Sequence, residues 1–481
     1  MRHRKKLIAL ATLLALPFVL HGGVSLFTRL PTPEVATPPV VATIDGDVRR
    51  TPHGWFARRG VNLAWISGSA EEIGAQHSAL LGDKMIETER VVWDGFAELV
   101  PFHPARTLLF DIGRVQYRNV AANFPDDRRR EIAAEARGFS PDPFASELPT
   151  YQRMVMLHAL YDISLGFEHS PLLGCTAFGL GPATTADGHA LFARVFDFEA
   201  AEVFDREKVV FAVHENGKIP FASVAWPGFI GVVTGMNAEG VGIAVNGGRA
   251  RDPSTTGVPV AFSLRETLQN ARTTEEAVAI LSRQPVMVSH IVFVGDAAGH
   301  FAVVERAPDV PAFVRAAGPG SGDREEVTNH FEGPLASDAK NERVRATTTT
   351  TQRRSRIDEL LAEVQPGTAT VASAVAIERD HQCAGATCAV GDRRAIDAFI
   401  ATHGIVADLT ARTLWVSEGP RLSGKFVKVD PSLLVQRPDA PPVPVTFDTL
   451  PEDPALHDGR YEQGRANAGG PLLHPDHPKK K

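Results

Sequence analysis

The stretch Leu172-Leu173-Gly174-Cys175-Thr176-Ala177-Phe178-Gly179-Leu180 divides the chain into two textures. On its C-terminal side glycine becomes frequent, and short apolar runs alternate with turn signals: Asp187-Gly188, Asn216-Gly217 and Asn237-Ala238-Glu239-Gly240. The runs 175–180, 189–196, 209–214, 219–225, 230–236 and 241–245 therefore predict an antiparallel meander. Helical patterns follow over 262–270 and 274–283, the second with Thr273 or Thr274 as cap. Strands are expected at 289–295 and 301–306, a helix over 353–363, and a strand pair, 404–408 and 413–417, around a turn at 409–412.

On the N-terminal side the pattern is helical. Ser69 and Glu72 form a capping box, continued by Ile73, Leu80, Leu81 and Ile86. Helix-like stretches recur over 128–137 and 151–165, so residues 51–174 read as mainly helical. Strands in a block, then helices, then strands again, give an α+β class in which stacked antiparallel sheets are covered by helices.

The ends carry other signals. Arg2, Arg4, Lys5 and Lys6 precede an apolar run from Leu7 to Leu20, interrupted by Pro17. Residues 1–27 read as an export signal, either a cleaved signal peptide or a retained membrane anchor, since extension to Phe27 approaches the roughly 20 residues that span a bilayer. The body of the protein is then expected to be periplasmic or extracellular. Residues 28–50 read as a Pro-rich linker, 51–174 as a pro-segment, 175–433 as a catalytic domain, and 434–481 as a loosely packed tail rich in Pro, Gly and His.

Composition narrows the chemistry. With 481 residues, 43% of them hydrophobic, the chain can bury a large core. Its formal net charge of -7 offers no basic field for nucleic acid. Three cysteines, Cys175, Cys383 and Cys388, exclude a disulfide scaffold and a four-cysteine zinc site. Cys383 and Cys388 read as a small-loop disulfide or as two unpaired thiols in preference to a metal site with His381. His474 and His477 read as solvated tail residues. No H-E-x-x-H, phosphate-binding glycine loop or G-x-S-x-G elbow occurs, and neither a cofactor nor a catalytic metal is expected.

Gly174-Cys175 is where the sequence suggests a reaction. A cysteine that follows glycine at a helix-to-strand transition suits self-cleavage, because glycine tolerates the backbone the attack demands. Cleavage frees an α-amine whose pKa, roughly 7.7 to 8.0, suits a general base. Arg194 would lower the thiol pKa, and Asp197 could hold an ammonium. A tight turn at Asp187-Gly188 would set Cys175 opposite Ala200 and leave Asp197 about 10 Å away, so a longer loop or a bulge is required. Residues 194 and 197 also alternate faces in a regular strand. At Asn246 and Asn329, each where an apolar strand runs out, the side-chain amides or nearby backbone N–H groups are candidates to stabilise an oxyanion.

Gly174-Cys175-Thr176, Arg194-x-x-Asp197, Met236-Asn237-x-x-Gly240-x-Gly242-x-x-x-Asn246, Thr328-Asn329-His330-Phe331 and Arg412-Thr413-Leu414-Trp415-Val416 occur in an order that resembles the acyl-coenzyme A:isopenicillin-N acyltransferase family. That family belongs to the N-terminal-nucleophile hydrolases, with looser likeness to choloylglycine hydrolases and acid ceramidase. Glu72-Ile73-Gly74-Ala75-Gln76-His77 is similar to the opening of the family's N-terminal chain. The resemblance covers roughly residues 54–430 and implies an αββα sandwich of two antiparallel sheets. It implies autoproteolysis at Gly174–Cys175, with the two resulting chains staying associated. Attack on an amide or thioester carbonyl of a small-molecule substrate would then pass through an acyl-Cys175 intermediate. It makes Cys175 the nucleophile and α-amine base, flanked by Arg194 and Asp197, with Asn246 and Asn329 serving the oxyanion and the amine. A later arginine of the pattern matches Arg353 or Arg356. The competing expectations are a catalytically inactive, membrane-anchored binding protein of the same fold and an extracellular lipid-amide hydrolase.

Overall fold

The computed structural model describes residues 2–165, 173–198, 201–316, 323–435 and 447–469. Ahead of Cys175 lie strands β1 (Thr43–Asp45), β2 (Val48–Thr51), β3 (Gly54–Arg59) and β4 (Val61–Gly68). After them come β5 (Leu173–Leu180), β6 (Leu191–Phe198), β7 (Val209–Glu215), β8 (Phe221–Ala225), β9 (Thr234–Asn237) and β10 (Gly242–Gly247). The series continues with β11 (His290–Gly295), β12 (Phe301–Arg306), β13 (Phe313–Ala316), β14 (Arg324–Val327), β15 (Ala401–Asp408), β16 (Thr413–Ser417), β17 (Phe426–Val429) and β18 (Thr449–Leu450).

These strands form two sheets. One is 11-stranded, in the order β1-β2-β3-β4-β7-β8-β9-β10-β11-β12-β13; the other is 7-stranded, in the order β14-β5-β6-β15-β16-β17-β18. The alternation of side chains along each strand builds the layers. In β7, Val209, Phe211 and Val213 face a core shared with helices, while Val210 and Ala212 face the core between the sheets. In β6, Phe192 points between the sheets, whereas Leu191, Ala193 and Val195 point to a third core under the helices Thr350–Glu363 and Val371–Glu378. The helices Ala70–Leu99, Asp126–Gly138, Val260–Asn270 and Thr274–Arg283 cover the outer face of the larger sheet. The result is an αββα sandwich, two stacked sheets with helices on both outer faces.

Several local expectations are met in detail. Ser69 and Glu72 form the reciprocal capping box, and the Thr273 side chain caps Glu276. The helices expected over 353–363 and 262–270 run as Thr350–Glu363 and Val260–Asn270.

Other features depart from the sequence reading. The segment ahead of Cys175 is not helical throughout. Its strands β3 and β4 enter the larger sheet, and β4 lies parallel to β7 from Asn62↔Val209 to Gly68↔Glu215. The run Val61–Ile66 is apolar on both faces apart from Asn62, as a strand buried on both sides requires. The Pro-rich stretch 28–50 likewise contains β1 and β2. Within the tail, residues 447–469 are packed and not loose: β18 pairs with β17, and the helix Arg460–Ala468 sets Tyr461 edge-on to Phe399. His474 and His477 lie outside the described residues. Of the two forms expected for Cys383 and Cys388 the structure has the disulfide, and His381 turns away to Asp453, Nε2 to Oδ2 3.2 Å. Residues Arg2–Phe27 form a helix with Pro17 inside. Among the described residues no helix is long and apolar enough to cross a membrane, and the side chains of residues 7–14 lie outside that description.

Candidate active site

Cys175 sits near the start of β5, and the β5–β6 register decides its neighbours. Cys175 pairs with Phe196, Gly174 with Asp197 and Ala177 with Arg194. The connection from Leu180 to Leu191 is long enough to slide the register four residues from the one a tight Asp187-Gly188 turn would set. It is the longer loop that the sequence required.

Alternation then places the two charged residues on opposite faces, and each serves a different part of Cys175. The thiol shares the inner face with Arg194, its diagonal cross-strand neighbour. The Arg194 Nη2 donates to Sγ at 3.2 Å, while Nη1 donates to the Thr234 Oγ1 at 2.8 Å. Nη2 also reaches the carbonyl oxygen of Val245, and the Arg194 backbone N–H donates to the Glu378 Oε1 at 2.9 Å. Cys175 and Arg194 are both fully buried. Burial pushes the Cys175 thiol up; the Arg194 charge works against it, Asp197 adds to it, and Arg353 and the Gly247 N–H favour the thiolate. The net direction is upward, so in the uncut chain the sulfur is held as a thiol.

The backbone of Cys175 meets a different set. Its N–H donates to the Asn329 Oδ1 at 2.7 Å. The same oxygen accepts from the Arg353 Nη2 at 2.7 Å, and the Asn329 Nδ2 donates to the Gly247 carbonyl at 2.8 Å. Asn329 lies just past β14, whose pairing Val327↔Ala177 aims the following residues at Cys175. Arg353, from the helix Thr350–Glu363, also grips the Cys175 carbonyl oxygen and the Thr176 Oγ1, the latter at 3.0 Å. Asp197 is buried within electrostatic reach of both Cys175 and Arg353.

Of the two candidate arginines, Arg353 is in the cluster. Arg356, one turn along the helix, pairs instead with Asp380 (Nη2 to Oδ1 2.7 Å) and Glu359. Asn246 reaches the cluster, but not in the geometry of an oxyanion donor. Its Nδ2 donates to the carbonyls of Thr328 (3.0 Å) and Val327 (3.3 Å), tying β10 to the end of β14. From this corner it is the backbone N–H of the next residue, Gly247, that reaches the Cys175 sulfur.

Sequence reading passed over Thr234, Glu378, His403 and Thr350, whose Oγ1 accepts from the Asn329 N–H at 2.8 Å. It also passed over Tyr161, whose hydroxyl is buried with no hydrogen-bond partner among the described residues and lies within electrostatic reach of Cys175 and Arg194. Nothing local marks these residues, since each is an ordinary strand or helix position until the chain has folded. Among the described residues, the other groupings with metal-ligand chemistry are Asp187, His189 and Asp408, and the disulfide pair with Asp392; neither adjoins Cys175.

The chain is similar to several known proteins. It is 24% identical over 282 residues to an uncharacterised protein of Archaeoglobus fulgidus, an alignment covering 54% of this chain and 45% of that one. It is 22% identical over 246 residues to the N-acylethanolamine-hydrolyzing acid amidase of Mus musculus, covering 48% of this chain and 66% of the relative. The chain thus spans less than two thirds of the length of either curated relative. Among solved structures, the Caenorhabditis elegans N-acylethanolamine-hydrolyzing acid amidase ortholog superposes with a TM-score of 0.36 at 17% identity, covering 49% of this chain and 93% of that one. Residues 184–389 match the model of the family described as acyl-coenzyme A:6-aminopenicillanic acid acyl-transferase.

Proposed function

We propose that the protein is an exported, self-cleaving cysteine enzyme that hydrolyses or transfers the acyl group of a small-molecule amide or thioester. One observation carries this reading: the two reactive atoms of Cys175 are served separately, the sulfur by Arg194 and the nitrogen by Asn329.

Activation proceeds in two steps. The Cys175 thiol attacks the Gly174 carbonyl carbon, and the C–N bond breaks as the nitrogen takes up a proton, leaving a Gly174–Cys175 thioester and a free α-amine. Water then hydrolyses the thioester to a Gly174 carboxylate and the regenerated thiol. Turnover reuses the same atoms. The α-amine, oriented by the Asn329 Oδ1, takes the thiol proton, and Arg194 stabilises the thiolate. The thiolate attacks the substrate carbonyl, whose oxyanion is received by the Gly247 N–H, with Asn246 holding the surrounding backbone in place. The leaving amine departs with the proton from the α-ammonium, which Asp197 stabilises electrostatically. The acyl-Cys175 thioester is finally released to water or to an acceptor amine.

After cleavage the two chains stay associated, a reading supported by the β4–β7 pairing and by buried ion pairs between the segments. Arg265 bridges Glu131 (2.9 Å) and Glu215 (3.1 Å), and Arg128 contacts the same two carboxylates. Export is supported by the basic, apolar N-terminus and by the Cys383–Cys388 disulfide, which belongs in an oxidising compartment. The substrate class follows from the family and its relatives' amide chemistry. N-terminal sequencing and intact-mass measurement of the purified protein test the reading: a fragment beginning at Cys175 is expected, with Cys175→Ala remaining whole. A wild-type protein that stays a single chain while turning over acyl amides would overturn it.

A further inference from the structure

Resting on that reading, the geometry points to His403 as a positioning residue: through the Thr234 hydroxyl it fixes the orientation of Arg194, and thereby the reactivity of the Cys175 sulfur. The connection is a chain of three hydrogen bonds. Arg194 Nη2 donates to Sγ at 3.2 Å, its Nη1 donates to the Thr234 Oγ1 at 2.8 Å, and Thr234 lies 3.1 Å from the His403 Nε2.

Donor and acceptor roles leave one consistent assignment. A guanidinium can only donate, so Thr234 accepts from Arg194 and directs its own proton to the His403 Nε2. That nitrogen must then be the bare one, with the ring proton on Nδ1. Complete burial keeps this ring neutral, and the charges that bear on it, Arg194 on β6 and Lys208 just before β7, act in the same direction. The neutral form is the one the relay needs, since a protonated Nε2 would face the Thr234 proton with another.

A backbone irregularity supplies the placement. Phe196 pairs with His403 but Asp197 pairs with Ala401, so Thr402 is an extra residue in β15. Such a bulge re-aims the neighbouring side chain. Here it lays the imidazole over Phe196, with ring centroids 5.0 Å apart, and the Arg194 guanidinium carbon lies 4.1 Å from the centroid of the same phenylalanine ring.

The site is also locally unfavourable. His403 is fully buried, and its Nδ1 has no hydrogen-bond partner among the described residues. A phenylalanine would keep the stacking without the orphaned polar atom. Polar chemistry retained against local stability is expected where function needs it.

The test uses the full-length, self-processed protein and the second-order rate of iodoacetamide alkylation as a function of pH. Cys175 is the one free thiol among the described residues, Cys383 and Cys388 being bonded. His403→Phe is expected to melt no lower than wild type yet to show a thiol pKa about one unit higher, hence about tenfold slower alkylation near neutrality. Thr234→Val should do the same, and the double variant should be no worse than either alone, because the two residues act in series. His403→Gln, which can present an acceptor, should recover most of the rate. A His403→Phe profile superimposable on wild type overturns the relay, as do losses that multiply in the double variant. If His403→Phe fails to fold, an unchanged profile in Thr234→Val overturns it alone. Failure of the functional reading looks different: wild-type Cys175 is then neither freed nor alkylated, which removes both proposals together.

Discussion

The carboxylate of Asp197 stands so close to Gly174 that a β-carbon on the glycine would lie 2.9 Å from its Oδ2. Residue 174 is therefore glycine for want of room opposite its cross-strand partner. Gly174→Ala forces Asp197 aside, a disturbance of about 1–3 kcal/mol for overpacking a buried site. Self-cleavage followed on a denaturing gel is expected to slow by tenfold or more. Cleavage at the wild-type rate would show that Asp197 can yield without consequence.

Arg353 joins three acceptors, the Cys175 carbonyl, Thr176 Oγ1 and Asn329 Oδ1, with one planar fork. A lysine offers a single point charge and cannot reproduce that span. Arg353→Lys should cut both self-cleavage and turnover by about ten- to hundredfold, corresponding to about 1.4–2.7 kcal/mol. Arg356→Lys, whose partners are Asp380 and Glu359, should leave both rates within about twofold of wild type. Equal losses in the two variants would assign the effect to the helix and not to the site.

Arg265 is fully buried between Glu131, from the segment ahead of Cys175, and Glu215, from β7. Removing it leaves carboxylates in a dry interface, and breaking a buried pair from one side costs about 3–5 kcal/mol. Arg265→Met is expected to lower the melting temperature and, in processed protein, to let the two fragments separate on size-exclusion chromatography in mild denaturant. Co-elution identical to wild type would mean that the β4–β7 pairing and the remaining ion pairs, Arg128 with Glu215 among them, hold the fragments without Arg265.

His381 gives a pH signature remote from Cys175. Burial on its own would lower its pKa, but the hydrogen bond to Asp453 and the charge of Asp397 outweigh burial and raise it to about 9. The folded pKa thus lies above the unfolded value, near 6.5. The stabilisation is fully present below about pH 6.5 and is lost as pH rises through 9, up to about 3 kcal/mol in all. Urea midpoints of wild type and His381→Gln, compared over that window, should converge as pH rises. A constant gap between them would show that the ring is not titrating.

Legibility differed from element to element. The strands between Cys175 and Val245 were readable because glycine-bearing turns punctuate apolar runs, but they do not form the one meander expected: β5 and β6 enter one sheet and β7 to β10 the other. β3 and β4 were not readable, because Val61–Ile66 is nearly continuous in its apolarity and such a run does not distinguish a buried strand from a buried helix segment. Helix 460–468 was hidden by a composition typical of loose tails. It is held by contacts from far upstream, with Gly464 against Phe399 and Arg465 donating to the Phe399 carbonyl at 3.0 Å. Arg353 and Arg356 could not be separated by spacing, since both lie on one helix and only its docking on β5 selects between them.

The linear chain by itself marked a cysteine preceded by glycine at the opening of a sheet-forming segment, and the resemblance of motif order implied that Arg194, Asp197, Asn246 and Asn329 belong near it. Those are statements about residue type and order. Folding decided which atom each residue meets. The β5–β6 register put Asp197 across from Gly174 in place of leaving it three residues away, and strand alternation sent Arg194 to the sulfur. The second sheet brought Thr234 and Val245 to the Arg194 guanidinium and the Gly247 N–H to the sulfur. Hydrogen bonds act over about 3 Å, whereas the residues that make these contacts are separated by 19 to 178 positions along the chain.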